Sequence, residues 1–205
     1  MAARTRKDVD ERRAQILEAT RDVALARGLA HLRVADVATH LGISSGLVHY
    51  HFSSKDELLV EMHRTMASPA LRRLRETMGA SGDPVDRLDG VLREYLPTSG
   101  RDESWALWID WWDEALRSEA LATISSEFDT AWVAILEELI ESGIHDGVFD
   151  CKDPNGAAWR LSALLDGLAI QVVLPRRTVS RRQMLDHARI GAAREVGLAR
   201  SAFPD

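Results

Sequence analysis

Residues 32–52 of this 205-residue chain read LRVADVATHLGISSGLVHYHF. The apolar residues of the first half recur at helical spacing and end at Gly42, which permits a tight turn. Ser44 or Ser45 can then cap a second helix that runs to His49. The apolar side chains that would pack the two helices at a steep angle are Val34, Val37, Ala38, Leu41, Ile43, Val48 and Phe52. The stretch therefore predicts a helix, a glycine turn and a second helix.

In helix-turn-helix proteins the second helix lies in the major groove, with its N-terminal residues toward the base edges. The outer face and the start of this helix carry Ser44, Ser45, Gly46, Leu47, His49 and Tyr50. Serine hydroxyls can bond to phosphates or bases, and a glycine lets the backbone approach DNA closely. Arg33, at the start of the preceding helix, can reach a phosphate or a base edge. We therefore predict DNA contacts at these seven residues.

The same stretch resembles the TetR (tetracycline-repressor-like) family of bacterial regulators. The resemblance covers roughly Ile16 to Leu59 and rests on Gly42-Ile43-Ser44, Gly46, Tyr50 and Phe52, followed by Ser54-Lys55-Asp56-Glu57-Leu58-Leu59. His49 and His51 stand where the family often has tyrosine. In that family the aromatic residues of the recognition helix and the lysine contact the DNA backbone. The resemblance carries this role onto His49, Tyr50 and Lys55.

The resemblance implies an all-α regulator with two domains. A three-helix helix-turn-helix domain would occupy residues 1–53, and a larger helical domain for effector binding and dimerisation would occupy residues 54–205. The function it implies is a homodimeric repressor that a small-molecule effector releases from double-stranded operator DNA. In that mechanism the effector shifts the fourth helix, which begins near Lys55.

Charge and composition agree with this division. The net charge is −6, but the chain up to Val60 has nine Lys or Arg and eight Asp or Glu, whereas the remainder has 17 and 24. The acidity therefore belongs to the larger domain and does not argue against DNA binding. A single cysteine excludes an intrachain disulfide framework. The start has no apolar signal core and no apolar run approaches about 18 residues, so we expect a cytoplasmic protein with no membrane partner.

Helical periodicity and helix punctuation continue along the chain and predict about nine or ten helices. The first would begin near Asp8. Ser68-Pro69 would interrupt the fourth helix, as a kink or as the start of a new helix, and Gly143 would end a long helix that begins near Ser118. Basic residues before and within the first helix form either a flexible DNA-binding arm or a solvated tail, and they are Arg4, Arg6, Lys7, Arg12 and Arg13.

A tryptophan-rich segment is the candidate effector site. Trp105, Trp108 and Trp112 share a helix face by their spacing, Trp111 points elsewhere, and Asp110 is interspersed. This segment, with Asp166-Gly167-Leu168-Ala169, is similar to the C-terminal domain of betaine-regulator (BetI-type) members of the family. Further pocket candidates are Met62, Met66, Trp132 and Asp166. Aromatic faces beside carboxylates can hold an organic cation, but large rings are common core material, so the sequence favours a core between helices for these tryptophans.

The helix that begins after Asp153 is apolar almost all round, so both of its sides must be buried. Packing it and the last helix against their two-fold copies would achieve this, through Leu161, Leu164, Leu168, Val172, Met184 and Ala188. The alternative is a core within one subunit. A dimer suits the reading of two operator half-sites.

Nothing in the sequence predicts an enzyme. Gly42 to Gly46 match the G-x-S-x-G pattern of hydrolases, but that motif follows a strand, whereas a helix is predicted here. No phosphate-binding glycine loop or metal-binding HExxH motif occurs, and two histidines two residues apart do not face each other on a helix. We therefore predict no cofactor and no metal. Two alternatives remain, which are a helical binding protein without DNA and a hydrolase built on Ser44 or Ser45.

Overall fold

The computed structural model describes residues 2–79, 82–174 and 179–204, with side chains from residue 8 onward. Within these ranges there are nine α-helices, one 3₁₀ turn and no strand. The all-α prediction is confirmed. The helices are α1 Ala2–Arg27, α2 Val34–Leu41, α3 Ser45–His51, α4 Lys55–Met78, α5 Pro84–Tyr95, α6 Glu103–Ala115, α7 Glu119–His145, α8 Pro154–Val173 and α9 Arg181–Glu195. Among the described residues no helix is long and apolar enough to cross a membrane.

Local chemistry explains the turn between α2 and α3. Gly42 has φ +66, a left-handed conformation that glycine adopts without strain. Its N–H and that of Ile43 bond back to the carbonyls of Thr39 and Ala38. The Ser44 hydroxyl oxygen accepts from the N–H of Leu47 at 3.2 Å and so caps α3. The helix, turn and helix predicted for residues 32–52 are confirmed.

Three details of the predicted helices are wrong. The first helix begins at Ala2 rather than near Asp8, although the side chains of Arg4, Arg6 and Lys7 lie outside the described residues. Helix α4 continues through Pro69, so the alternative in which a new helix begins there is wrong, whereas a kink at Pro69 stays a prediction. Helix α7 continues past Gly143 to His145. A Cβ at Gly143 would lie 2.0 Å from Cδ2 of Phe149, so this glycine serves close packing inside the chain rather than helix termination.

The chain forms two compact units. Unit 1 is Met1–Ser68 with Ala106–Ser126, and unit 2 is Pro69–Trp105 with Glu127–Asp205. In unit 1 a single core joins α1, α2, α3 and the start of α4 to Leu107 and Trp111 of α6 and to Leu121 and Ile124 of α7. The helix, turn and helix of residues 32–52 therefore share their core with side chains far along the sequence. The domain boundary after residue 53 stays a prediction.

Unit 2 contains α5, α8 and α9 with the remainder of α4, α6 and α7. A buried ion pair connects α5 to α9, because Arg189 Nε donates to Asp89 Oδ1 at 2.7 Å. Arg93 Nε donates to the other oxygen of Asp89 at 2.6 Å. Burial alone would raise the pKa of Asp89, but these two guanidinium groups outweigh it and lower the pKa. The pair fixes how these two helices pack.

Candidate DNA-binding surface and effector site

Helix α3 presents one buried and one exposed face. Val48 and Phe52 are 0% and 1% exposed, as the sequence predicted for its inner side. On the other side Tyr50 is 75% exposed, and His49 and Gly46 are also exposed. A large aromatic side chain left in solvent on a helix of this kind is available for a partner.

The first turn of α3 leaves open space beside its backbone at Gly46. A Cβ at Gly46 would meet only Ser44 Oγ, at 3.8 Å, so open space lies beyond the backbone here. Ser44 is exposed, and Ser45 and Leu47 are half-buried. The Ser44 oxygen caps the helix, but its hydroxyl proton can still be donated. The arrangement permits a close approach by another molecule.

Basic side chains surround the turn before α2. Arg33 is exposed and precedes the first residue of α2. It lines a cavity of about 370 Å³ together with Arg27, Ala30, His31 and Asp36. Arg27 Nη1 lies 2.7 Å from Asp36 Oδ1, which connects the end of α1 to α2. This edge of unit 1 can therefore attract phosphates.

Arg13 is a structural residue of the recognition module. Its Nη1 donates to the carbonyl of His51 at 2.8 Å, and its guanidinium carbon lies 4.2 Å from the Phe52 ring centroid. Its Nη2 also lies 3.2 Å from Glu61 Oε2. The prediction that Arg13 belongs to a flexible arm is therefore wrong. Burial, with Arg13 and Arg12 nearby, lowers the pKa of the half-buried His51.

Lys55 lies at the start of α4. Its Nζ donates to the backbone carbonyl of Leu29 at 3.0 Å, in a partly buried position. Sequence reasoning did not find this contact, because Leu29 is 26 residues away. An ammonium group has three donors, so the predicted phosphate contact of Lys55 stays a prediction beside this internal one.

Unit 1 holds five of the eight effector candidates. They are Met62, Met66, Trp108, Asp110 and Trp112. His63 of α4 lies against Trp108 and Trp111, with ring centroids 4.8 Å and 4.2 Å apart. Trp111, predicted to point away from the others, is 2% exposed and contacts the same histidine as Trp108. Burial, and then Arg64, lower the pKa of His63 to about 4, so its ring is neutral at pH 7.

Unit 2 holds Trp105, Trp132 and Asp166, and Tyr95 connects them. The Tyr95 ring stacks on Trp132 at 4.1 Å and meets Trp105 edge-on at 5.5 Å. Its hydroxyl donates to Asp166 Oδ1 at 2.5 Å. Trp132 Nε1 donates to Ser162 Oγ at 3.1 Å. Helices α5, α6, α7 and α8 thus bring three aromatic rings and a carboxyl group together.

Two carboxyl groups in this cluster are destabilised as anions. Burial raises the pKa of Asp166 to about 6, against the hydrogen bond from Tyr95, and nearby Asp129 raises it further. Burial also raises the pKa of Asp129. Within the described ranges no Lys or Arg forms an ion pair with either carboxyl group. The cluster therefore holds negative charge that no basic side chain described in the structure balances.

The dimerisation candidates divide by burial. Leu161, Val172, Met184 and Ala188 are at most 1% exposed and fill the core of unit 2. Leu164 and Leu168 are half-buried. Of the large apolar side chains on α8, Trp159 is 48% exposed, and Leu174 just beyond its end is 45% exposed. A subunit contact through α8 stays a prediction, to which these two exposed side chains can contribute.

The hydrolase alternative is contradicted. The segment before Gly42 is α2, whereas the G-x-S-x-G turn requires a strand there. Among the residues that the structure describes, no group of three or more His, Cys, Asp or Glu side chains could hold a metal ion.

Comparison with known proteins agrees with this geometry. Residues 16–62 match the profile described as bacterial regulatory proteins, tetR family, and residues 84–197 match the BetI-type transcriptional repressor C-terminal domain. The chain belongs to the TetR family. It is a transcriptional repressor of that family and not an enzyme.

Individual relatives support the assignment. A transcriptional regulator from Saccharomonospora viridis, crystallised in complex with choline, is 32% identical and has a TM-score of 0.79, with 87% of this chain and 94% of that chain covered. The transcriptional repressor KstR2 of Mycobacterium tuberculosis is 29% identical over 66% of this chain and 70% of its own length. The transcriptional regulator BetI of Rhizobium meliloti is 24% identical over 82% of this chain and 81% of its own length.

Sequence reasoning missed three residues of this TetR-family repressor, which are His63, Tyr95 and Asp129. Each belongs to an ordinary amphipathic helix and forms no motif. The one available signal was the spacing of Asp129 and Trp132, which lie three residues apart and therefore share a face of α7.

Proposed function

We propose that this repressor binds its operator as a homodimer and leaves it when a small organic cation binds in unit 2. The observation that carries the proposal is the Tyr95–Trp132 stack beside the carboxyl groups of Asp166 and Asp129. Aromatic faces and unbalanced carboxylates attract quaternary and primary amines by cation–π and charge interactions. The complex of the S. viridis relative with choline supports this ligand class.

The cluster has its own internal contacts. The Tyr95 hydroxyl donates a hydrogen bond to Asp166, and the Tyr95 ring stacks on one face of Trp132. A cation would compete with Tyr95 for both and would favour the ionised form of Asp166. A cation would therefore bind one arrangement of the cluster more tightly than the other. A ligand needs this difference in binding free energy in order to shift a conformational equilibrium.

Operator contact is proposed through the exposed face of α3. Tyr50 and His49 face solvent beside the open surface at Gly46, and Arg33 lies at the basic edge before α2. Ser44, Ser45 and Leu47 complete the proposed set. Contacts to the DNA backbone position the helix on the duplex, whereas contacts to the base edges select the DNA sequence.

The homodimer is supported by the exposed apolar side chains of unit 2. Trp159 lies in the second turn of α8 and Leu174 directly follows the helix, so the two are about 22 Å apart along a helix of 1.5 Å rise per residue. A two-fold axis near this helix would bury both residues in each of the two subunits. Two copies would then present two α3 helices to half-sites about 34–36 Å apart or at a multiple of that spacing.

The DNA half of the proposal is tested by selecting bound sequences from random duplex DNA with the wild-type protein. We expect a sequence with two-fold symmetry. Tyr50→Ala should then bind the selected duplex at least about tenfold more weakly, equivalent to about 1.4 kcal/mol. Leu116→Ala is the control, because Leu116 is 84% exposed and lies outside α3. Equal binding by Tyr50→Ala and wild type would contradict the proposed surface, and failure to enrich any sequence would favour a helical binding protein without DNA.

A further inference from the structure

Both backbone polar groups of Leu29 are held by side chains from distant helices. Asp110 Oδ2 of α6 accepts a hydrogen bond from the Leu29 N–H at 2.6 Å. Lys55 Nζ of α4 donates to the Leu29 carbonyl at 3.0 Å. All three residues belong to unit 1. We propose that Asp110 and Lys55 are positioning residues for operator binding, which hold the Leu29 peptide and thereby fix α2 and the recognition helix α3.

The turn that contains Leu29 depends on these two side chains. It follows α1 at Gly28, whose φ of +80 ends the helix. Leu29 itself is 0% exposed, and a buried backbone N–H outside a helix needs a partner. Within the described structure Asp110 supplies that partner. The carbonyl also accepts from the N–H of Leu32 at 3.2 Å, so the turn and the Lys55 contact share one oxygen.

The position of this turn is transmitted to α3 over a short distance. Helix α2 begins five residues after Leu29, and Arg27 at the end of α1 pairs with Asp36 in its first turn. The buried side chains of Val37 and Ala38 then fix α2, and a three-residue turn leads to α3. Because each connection is short and packed, a shift of the Leu29 peptide must shift the exposed face of α3.

The bond of Asp110 also joins two parts of the sequence. Asp110 lies inside residues 84–197, which match the C-terminal repressor domain, whereas Leu29 and Lys55 lie inside residues 16–62, which match the DNA-binding domain. A rotation or translation of α6 would therefore move the acceptor of the Leu29 N–H. This contact gives α6 a direct influence on the DNA-reading helices.

The effect of removing each charged side chain on DNA affinity distinguishes a positioning role from a purely electrostatic one. Removal of a carboxylate near a DNA-binding surface should strengthen DNA binding if only the overall field matters. The positioning role predicts the opposite for Asp110. Removal of a lysine that contacts phosphate should reduce the slope of log affinity against log salt by about 0.9. Loss of a positioning lysine instead lowers the affinity and leaves that slope unchanged.

The experiment measures binding to the duplex selected by the wild-type protein, at several salt concentrations. It compares wild type, Asp110→Ala, Asp110→Asn, Lys55→Met, the double variant of Asp110→Ala with Lys55→Met, and Asp113→Ala. Asp113 is the matched control, because it lies on the same helix but is exposed and pairs with Arg117. Circular dichroism at the assay temperature verifies that each variant is folded. Binding of the duplex by the wild-type protein tests the proposed function, independently of the variants that test the positioning role.

We expect Asp110→Ala and Lys55→Met each to bind about tenfold more weakly, as the loss of one charge-assisted hydrogen bond allows. The double variant should be about as weak as either single variant, and the salt slopes should match that of wild type. Asp110→Asn, whose amide oxygen can still accept from Leu29, should recover most of the affinity. The proposal is overturned if folded Asp110→Ala binds as tightly as Asp113→Ala, or if the losses of the two single variants simply add.

Discussion

The hydroxyl of Tyr95 donates a hydrogen bond to Oδ1 of Asp166 at 2.5 Å, while the ring of Tyr95 stacks on Trp132. Burial raises the pKa of Asp166 to about 6 despite this bond, and it raises the pKa of Tyr95 well above 10. The phenol therefore remains the donor at all physiological pH values. A carboxyl group held in this way is costly to ionise in the absence of a cation, and this cost leads to the first prediction.

Asp166→Asn should stabilise the ligand-free protein at pH 7.5. The pKa of Asp166 is higher in the folded state than its ordinary value of 3.8, so the folded state binds the proton more tightly. Its contribution to stability therefore falls as the pH rises from about 4 to about 6 and stays lost above that range. The neutral amide avoids the loss, so we expect a gain of about 1–3 kcal/mol in the free energy of unfolding. Urea denaturation at pH 7.5 measures the gain, and a less stable variant would contradict the assignment.

Replacement of His63 should reduce the acid sensitivity of the fold. Burial lowers the pKa of His63 from 6.5 to about 4, so the unfolded chain binds the extra proton more readily between these pH values. Stability from this group is complete above pH 6.5 and is lost as the pH falls toward 4. Between pH 7 and pH 4.5 His63→Leu should lose about 2 kcal/mol less than wild type in the free energy of unfolding. Parallel pH profiles for the two proteins would refute this expectation.

Two glycines inside helices should respond to alanine in opposite ways. At Gly143 a Cβ would lie 2.0 Å from Phe149, so Gly143→Ala should cost about 1–3 kcal/mol through overpacking. At Gly167 of α8 nothing lies within 4 Å, so Gly167→Ala should gain up to about 1 kcal/mol through helix propensity. Thermal unfolding of both variants checks the pair. A stabilised Gly143→Ala protein would show that Phe149 does not pack on α7 as described.

Charges placed at Trp159 and Leu174 should prevent dimerisation. Trp159→Glu combined with Leu174→Glu alters side chains that are about half exposed, so the fold of the subunit should survive. We expect light scattering to report a dimer for wild type and a monomer for this variant. Leu116→Glu, at an 84% exposed apolar position in unit 1, is the control and should remain dimeric. A dimeric double variant would place the subunit contact elsewhere.

The recognition module could be predicted from sequence because its determinants are local. Gly42 sets the turn, Ser44 caps α3, and the apolar spacing of Val48 and Phe52 defines the buried face. Each of these acts within a few residues, where helix periodicity and capping rules apply directly.

The tryptophan cluster could not be resolved in the same way. The spacing of Trp105, Trp108 and Trp112 indicated one shared face, but Trp105 contacts Tyr95 in unit 2 while Trp108 contacts His63 in unit 1. Helix spacing gives the direction of a side chain and not the identity of its neighbour. The bond between Asp110 and Leu29 spans 81 positions and depends wholly on tertiary packing.

Operator release by organic cations tests the central claim most directly. The wild-type protein and Asp166→Asn are bound to the selected, fluorescently labelled duplex, and choline, tetramethylammonium and spermidine are titrated into each complex. Asp146→Asn is the control, since Asp146 is exposed and pairs with Arg87 elsewhere in unit 2. The account predicts that at least one cation releases the duplex from wild type and Asp146→Asn but not from Asp166→Asn. Release of wild type and Asp166→Asn at the same concentration, or of neither by any cation, would contradict it.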